Sequence, residues 1–178
     1  MPENYIIGTL IPEHFLPGLG YVAVQNSQLD HSINETIWFL GTIDAAAGIA
    51  ITSTVANSST RIEMLRRLVK VKVADEKDQK KLLALLNRAD EVIGERNRFS
   101  HDRPYYYSPK NDEVGFFRDV NLSNPQIKIQ PPTRITTEFL QKLGAEMFRL
   151  VVWLGMYRSK HPDWSDDAQF PWQDKLPK

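Results

Sequence analysis

The chain lacks cysteine altogether over its 178 residues, which excludes a disulfide, a thiolate metal site and a cysteine nucleophile. A reducing cytoplasm is the expected setting, although an oxidising compartment also tolerates a chain without thiols. Net charge is missing too, since 22 basic residues are matched by 22 acidic ones. Any contact with nucleic acid must therefore come from a local patch, not from the field of the whole molecule. Long apolar runs are absent as well. The best of them, "WFLGTIDAAAGIAI" and "FRLVVWLGMY", are interrupted by Asp44 or too short for a bilayer, which takes about 20 residues. The start "MPENYIIGTL" has no basic region ahead of an apolar one. A soluble, cytoplasmic protein with no membrane partner is expected. There is no glycine-rich dinucleotide fingerprint, no phosphate loop and no serine in a nucleophile elbow, so nucleotide-dependent and acyl-transfer chemistry has no residues to use. No cofactor is expected.

What is present is material for one domain. Hydrophobic residues make up 42% of the chain and charged residues 25%, enough for a core and against disorder. Residues 1 to 20, with proline and glycine among scattered apolar residues, read as an irregular lead-in. From Tyr21 to about Asp44, Val24, Leu29, Ile33, Ile37, Trp38 and Leu40 recur mostly at spacings of three and four and predict the first long helix. "AAAGIAITSTVA" suits a tightly packed helix, weakened by Gly48. "NSSTRIEMLRRLVKV" predicts a helix capped by Ser59 or Thr60, burying Ile62, Leu65, Leu68 and Val69 and turning Arg61, Arg66, Arg67, Lys70 and Lys72 outward.

"DEKDQKKLLALLNRADEVIGERNRFSHD" carries the clearest pattern. Acidic residues occupy its first turn, Leu82, Leu85, Leu86, Ala89, Val92 and Ile93 keep the helical period, and Arg96, Arg98 and His101 meet the negative end of the dipole. Pro104 ends it, with helical geometry over by Asp102. "YYYSPKNDEVGFFRDV" reads as two strands about a turn with Ser108 and Pro109 in its first two positions, and "QIKIQPP" as a third strand. "TTEFLQKLGAEMFRLVVWLGMYRSK" returns to a helix capped by Thr136 or Thr137.

The predicted fold is mostly α: a bundle of four to five helices with a small β-hairpin insertion, about residues 105–131, between the last two long helices. Residues 1–160 form the single domain and 161–178 a C-terminal tail, of whose Trp164, Phe170 and Trp172 at least two are expected to dock.

Chemistry concentrates in "ERNRFSH". Asn97 and His101, four apart, share a helix face, whereas Arg96 and His101 are separated by about 140° on an ideal helix and converge only if the last turn loosens, as Pro104 invites. An arginine clamps phosphate oxygens in a fork and an imidazole moves protons near neutral pH, the two needs of phosphodiester cleavage. Asn97 would orient one or the other. Arginine and histidine in a last turn are also ordinary partners of the helix dipole, and the spacing does not choose between the two.

Arg96, Asn97, three intervening residues and His101 resemble the RNxxxH motif of the HEPN superfamily. The motif's place late in a helical bundle of this size, followed by an aromatic-rich insertion, is similar as well. The resemblance implies an HEPN-like domain over residues 1–160 and a metal-independent endoribonuclease working as a homodimer on single-stranded RNA, in a toxin–antitoxin or phage-defence setting. It implies His101 as general base or acid, Arg96 as the holder of the phosphorane charge and Asn97 as a positioning residue. It implies an antitoxin partner protein too, with one departure: toxins of this class silenced by a nucleotidyltransferase often carry a tyrosine two residues past the histidine. Here that residue is Arg103, and Tyr105 lies four past it. Other members have lost catalysis and act as binding or scaffold modules, so a non-catalytic helical dimer is the alternative.

Around the motif, Arg98, Arg103 and Tyr105, with Arg66 and Arg67 from the basic helix, are candidates for RNA contact, against the plainer expectation of a solvated basic face and of strand tyrosines covering the core. His31 and Glu35, four apart, are expected to form a surface ion pair and not half of a metal site; no metal is assigned. Trp38, Phe39, Trp153 and Met156 give more apolar helix surface than one small bundle buries, which again points to a homodimer.

Overall fold

A computed structural model of the chain describes residues 6–7, 11–117, 133–160 and 164. Among these, five α-helices and a four-stranded antiparallel sheet follow the order β1 (Ile6–Ile7), a 3-10 turn (Glu13–Phe15), α1 (Leu16–Gly41), α2 (Ala45–Thr52), α3 (Ser58–Lys72), α4 (Glu76–Ser100), β2 (Arg103–Ser108), β3 (Glu113–Phe117), β4 (Thr133–Thr136) and α5 (Thr137–Ser159). The mostly helical class and the small sheet between the last two long helices match the expectation. No helix among the described residues is long and apolar enough to cross a membrane.

The caps explain where the helices begin. Asn57, Asp75 and Thr136 each accept a hydrogen bond from the backbone N–H three residues on, at 2.9 Å, 2.9 Å and 3.0 Å. Asn57 therefore corrects the expected cap at Ser59 or Thr60: it lies outside the helical turn, where a cap side chain has room to fold back. The lead-in also needs correction, because α1 starts at Leu16 and runs through Gly18 and Gly20. Pro17 sits in its first turn, where a missing N–H costs nothing. Gly18 is there for closeness, since a Cβ would come within 3.1 Å of Leu140. The same holds at Gly144, where a Cβ would run into the Tyr21 ring. These two glycines let α1 and α5 lie against each other side by side and parallel, with Gly18 near Leu140 and Ser32 near Arg158.

The core is continuous. Leu29, Ile33 and Ile37 of α1, Ile62, Leu65 and Val69 of α3, Leu82, Leu86 and Ile93 of α4, and Leu140, Met147 and Leu150 of α5 are all buried. Val24, by contrast, faces out, and Val22 takes the buried place. Polar pins cross the core. Arg158 donates to Ser32 O, Ser32 Oγ, Thr36 Oγ1 and Glu35 at 2.7 to 3.0 Å, joining α5 to α1. Arg88 joins α4 to α5 through Glu146 at 2.8 Å. Burial works against the charge of both guanidiniums; it wins at Arg158, whose pKa is lowered, while bonds to Glu146 and Glu91 outweigh it at Arg88.

The sheet has the order β1-β2-β3-β4. Its hairpin begins at Arg103, earlier than expected, because the residue before Pro104 is pushed into extended backbone, and β1 from the lead-in pairs along β2 as an unexpected fourth strand. Ser108 O accepts from Asn111 N at 3.3 Å in the expected turn. Val114 pairs with Ile135 and both are buried, so the hairpin closes over the bundle. Gly115 opposes Tyr106, whose ring occupies the space a Cβ would need. The expected strand "QIKIQPP" lies outside the described residues. The strand that follows β3 in the sheet is "TRIT", directly ahead of the α5 cap, where the sequence shows only the approach to a helix.

Candidate functional site

Helix α4 ends at Ser100, and His101 caps it at φ −106° and ψ −6°, just off helical geometry. Arg96, Asn97 and His101 consequently line one cavity of about 430 Å³, despite the five-residue offset between the arginine and the histidine. The three residues that the motif singles out are brought together.

The opposite walls come from α1 and the start of α3. Asn26 and Asp30 rise from α1; Asn57, Ser58, Ser59 and Arg61 come from the α3 N-terminus. Asn57, Ser59 and His101 are exposed at the rim and Asn26 is buried at the floor, so the cavity is a cleft with a polar lining. Its size falls in the range of small-ligand sites. Arg96 donates to Asn97 Oδ1 at 3.0 Å, and among the described residues no carboxylate engages Arg96 or His101. A guanidinium and an imidazole without acidic partners are free to act on an anion. Arg96 also lines a second cavity of about 280 Å³, this one walled by Leu19, Val22, Phe99 and Phe116. It thus stands between a polar cleft and an apolar slot.

The other candidate residues go elsewhere. Arg66 turns toward α4, donating to Asn87 at 3.1 Å and Asp90 at 3.2 Å, and so leaves the solvated face expected of it. Arg61 does the same toward α1, with Asp30 at 3.6 Å. Arg67 is exposed and paired with Glu63, and Arg98 with Glu95, away from the cleft. Arg103 and Tyr105 belong to β2 by backbone, and their side chains lie outside the described residues. His31 pairs with Glu35 at 3.4 Å as expected, and Arg158 engages the same carboxylate. Among the described residues no three histidine or acidic side chains converge in a metal-binding group.

Arg61 was expected on the outward basic face with Arg66 and Arg67, and Asn26 and Asp30 were not expected at this site. A signal existed for Arg61: it precedes Leu65 by four and Leu68 by seven, which places it beside the buried stripe. Asp30 carried none, because its partner is 31 residues away. In comparisons with protein families, curated proteins and solved structures, nothing matches this chain.

Proposed function

We propose that the protein is a metal-independent endoribonuclease of HEPN type, acting as a cytoplasmic homodimer in a toxin–antitoxin or phage-defence setting. The observation that carries this reading is the convergence of Arg96, Asn97 and His101 on one polar cleft, with neither the guanidinium nor the imidazole engaged by a carboxylate among the described residues. A phosphodiester held there would have its oxygens in reach of the arginine fork. His101 takes the proton of the ribose 2′-hydroxyl, the 2′-oxygen attacks phosphorus as the bond from phosphorus to the 5′-oxygen breaks, and the 5′-oxygen takes up a proton from water. The products are a 2′,3′-cyclic phosphate and a 5′-hydroxyl. Arg96 offsets the charge that builds on the phosphorane, the role a preorganised donor fills best. Asn97, bonded to Arg96, fixes the fork's direction.

The test is incubation of the purified protein with single-stranded RNAs of varied sequence in EDTA, with analysis of the new 3′ ends. Cyclic phosphate ends are expected, and His101→Ala should cost on the order of a hundredfold to ten-thousandfold in rate while the fold persists. If the wild type cuts none of them and His101→Ala loses its fold or its dimer, the motif is structural and the chain is a binding or scaffold module.

A further inference from the structure

We propose that Arg61 is a second phosphate-binding arginine of the cleft, gripping the RNA backbone beside the phosphodiester that Arg96 holds, with Asp30 as its positioning residue. The inference rests on the RNA reading of the cleft and extends it to a residue outside the motif.

The contrast among the arginines that cross between helices carries the argument. Arg158 reaches four acceptors at 3.0 Å or less, Arg88 has Glu146 and Glu91 at 2.8 and 2.7 Å, and Arg66 has Asn87 and Asp90 at 3.1 and 3.2 Å. Arg61 has one ionic neighbour, Asp30 at 3.6 Å, which is too long for a hydrogen bond. Its side chain is 15% exposed and its Nε is buried with no hydrogen-bond partner. A guanidinium has five N–H donors, and withdrawing them from water without acceptors is unfavourable. A side chain serving merely to pin α3 to α1 would be expected to come within hydrogen-bond distance of its carboxylate, as the other three do, although Arg88 too keeps one buried nitrogen without a partner. Arg61 instead lines the same cleft as Arg96 and His101.

The surroundings favour an anion there. Arg61 lies in the first turns of α3, a helix of 15 residues whose positive end borders the cleft at Ser58 and Ser59. Asp30 is itself steadied by Asn26 Nδ2 at 3.5 Å, which keeps its carboxylate against Arg61. One edge of the guanidinium can face Asp30 while the other takes phosphate oxygens. Two arginines on opposite walls would then hold successive phosphates of one strand, supplied by a single protomer.

Binding is tested apart from cleavage, in a His101→Ala background that leaves RNA intact. Anisotropy of a fluorescent single-stranded RNA is measured over a range of salt, with circular dichroism as a check on the fold. Arg61→Gln should weaken binding about tenfold and make the slope of log K against log salt shallower by about 0.7, the signature of one lost phosphate contact on a single strand. Arg61→Lys should keep the slope and lose part of the affinity, because the charge stays while the fork goes. Unchanged affinity and slope in folded Arg61→Gln overturn the proposal. Should that variant fail to fold, parent-level affinity in Arg61→Lys overturns it instead. Wild type that binds through Arg61 without cutting removes the nuclease reading and leaves this one standing. Wild type that cuts, with Arg61→Gln binding normally, does the reverse; a parent that binds no RNA overturns the Arg61 proposal, and a wild type that neither binds nor cuts RNA overturns both.

Discussion

His14 Nε2 lies 2.6 Å from Asp112 Oδ1, joining residues 98 apart in the chain. Thr137 donates to the other carboxylate oxygen at 2.9 Å, so one side chain ties the turn before α1, the β2–β3 hairpin and the start of α5. Asp112 does this from a left-handed backbone at φ 47°, a conformation that aspartate and asparagine accept more readily than most residues. The bond from His14 holds the carboxyl below its ordinary range, against partial burial, with Thr137 adding to the effect. A depressed carboxylate contributes stability that is full above the unfolded value of about 4 and is lost as pH falls through the folded value. Asp112→Asn keeps the backbone preference and removes the charge. Wild type should exceed it in urea-unfolding stability by less than about 1 kcal/mol at neutral pH, since the pair is roughly half exposed. That margin should close on the acid side of about pH 4. A margin that stays constant down to strong acid would show that the charge contributes nothing.

Arg88 and Glu146 are a different case, because both are largely buried between α4 and α5. Removing Glu146 leaves the mostly buried guanidinium with Glu91, at 2.7 Å, as its remaining carboxylate. Glu146→Ala should therefore cost about 1 to 3 kcal/mol in chemical denaturation, the range for a buried donor that loses one acceptor, whereas replacing both Arg88 and Glu146 by apolar residues of similar volume should cost less. Equal losses in the single and double variants would contradict this account.

Trp164 answers in part how the tail behaves. It is 5% exposed, donates its indole N–H to Asp78 at 2.6 Å, and packs on Tyr157 and Trp153 with ring centroids 5.1 and 6.3 Å away. Lys81 donates to its carbonyl at 2.9 Å. Phe170 and Trp172, the other two expected anchors, lie outside the described residues. Trp164→Ala should lower stability by about 3 to 5 kcal/mol. An unshifted denaturation midpoint would mean that the contact is not held in solution.

Legibility in the sequence followed range. Leu82 through Ile93 on α4 announced themselves because period, cap and terminating proline are all local. The start of α1 did not, because Gly18 is a poor helix former chosen for its closeness to Leu140, more than a hundred residues on. The motif residues were readable as a cluster, yet half of the cleft was not: Asp30 meets Arg61, and Arg61 joins Arg96 in lining one cavity, only after α1, α3 and α4 have packed. Polar residues that serve a site across helices have no period of their own.

Tyr21, Val24 and Phe148 bear on the proposed dimer. Val24 is 54% exposed and Phe148 49%, on the parallel α1–α5 pair. The neighbouring positions Leu19, Val22 and Ala23 line the slot shared with Arg96 and Phe99, so this surface adjoins the end of α4. If two copies meet there, Val24→Glu with Phe148→Glu should convert a sedimenting dimer to monomer with little change in circular dichroism. A wild type that sediments as a monomer at micromolar concentration would remove the dimer from the proposal.

Asn97 offers the sharpest test of the arginine beside it. Its Oδ1 accepts from Arg96 Nη1 at 3.0 Å, and a neutral amide steers the guanidinium without cancelling its charge. Asn97→Ala frees the fork but leaves it cationic, so RNA cleavage should fall only modestly. Asn97→Asp is nearly isosteric and keeps the acceptor, yet it sets a carboxylate against Arg96 and adds negative charge where a phosphate would sit. Rate should then fall by about a hundredfold or more, comparable to the loss of one preorganised donor, while stability holds or rises slightly through the new ion pair. The order alanine above aspartate is opposite to what shape alone predicts, since aspartate is the closer mimic. Single-turnover cleavage by both variants, beside their urea midpoints, decides it: if Asn97→Asp cuts as well as Asn97→Ala, the charge of Arg96 is not what the reaction uses.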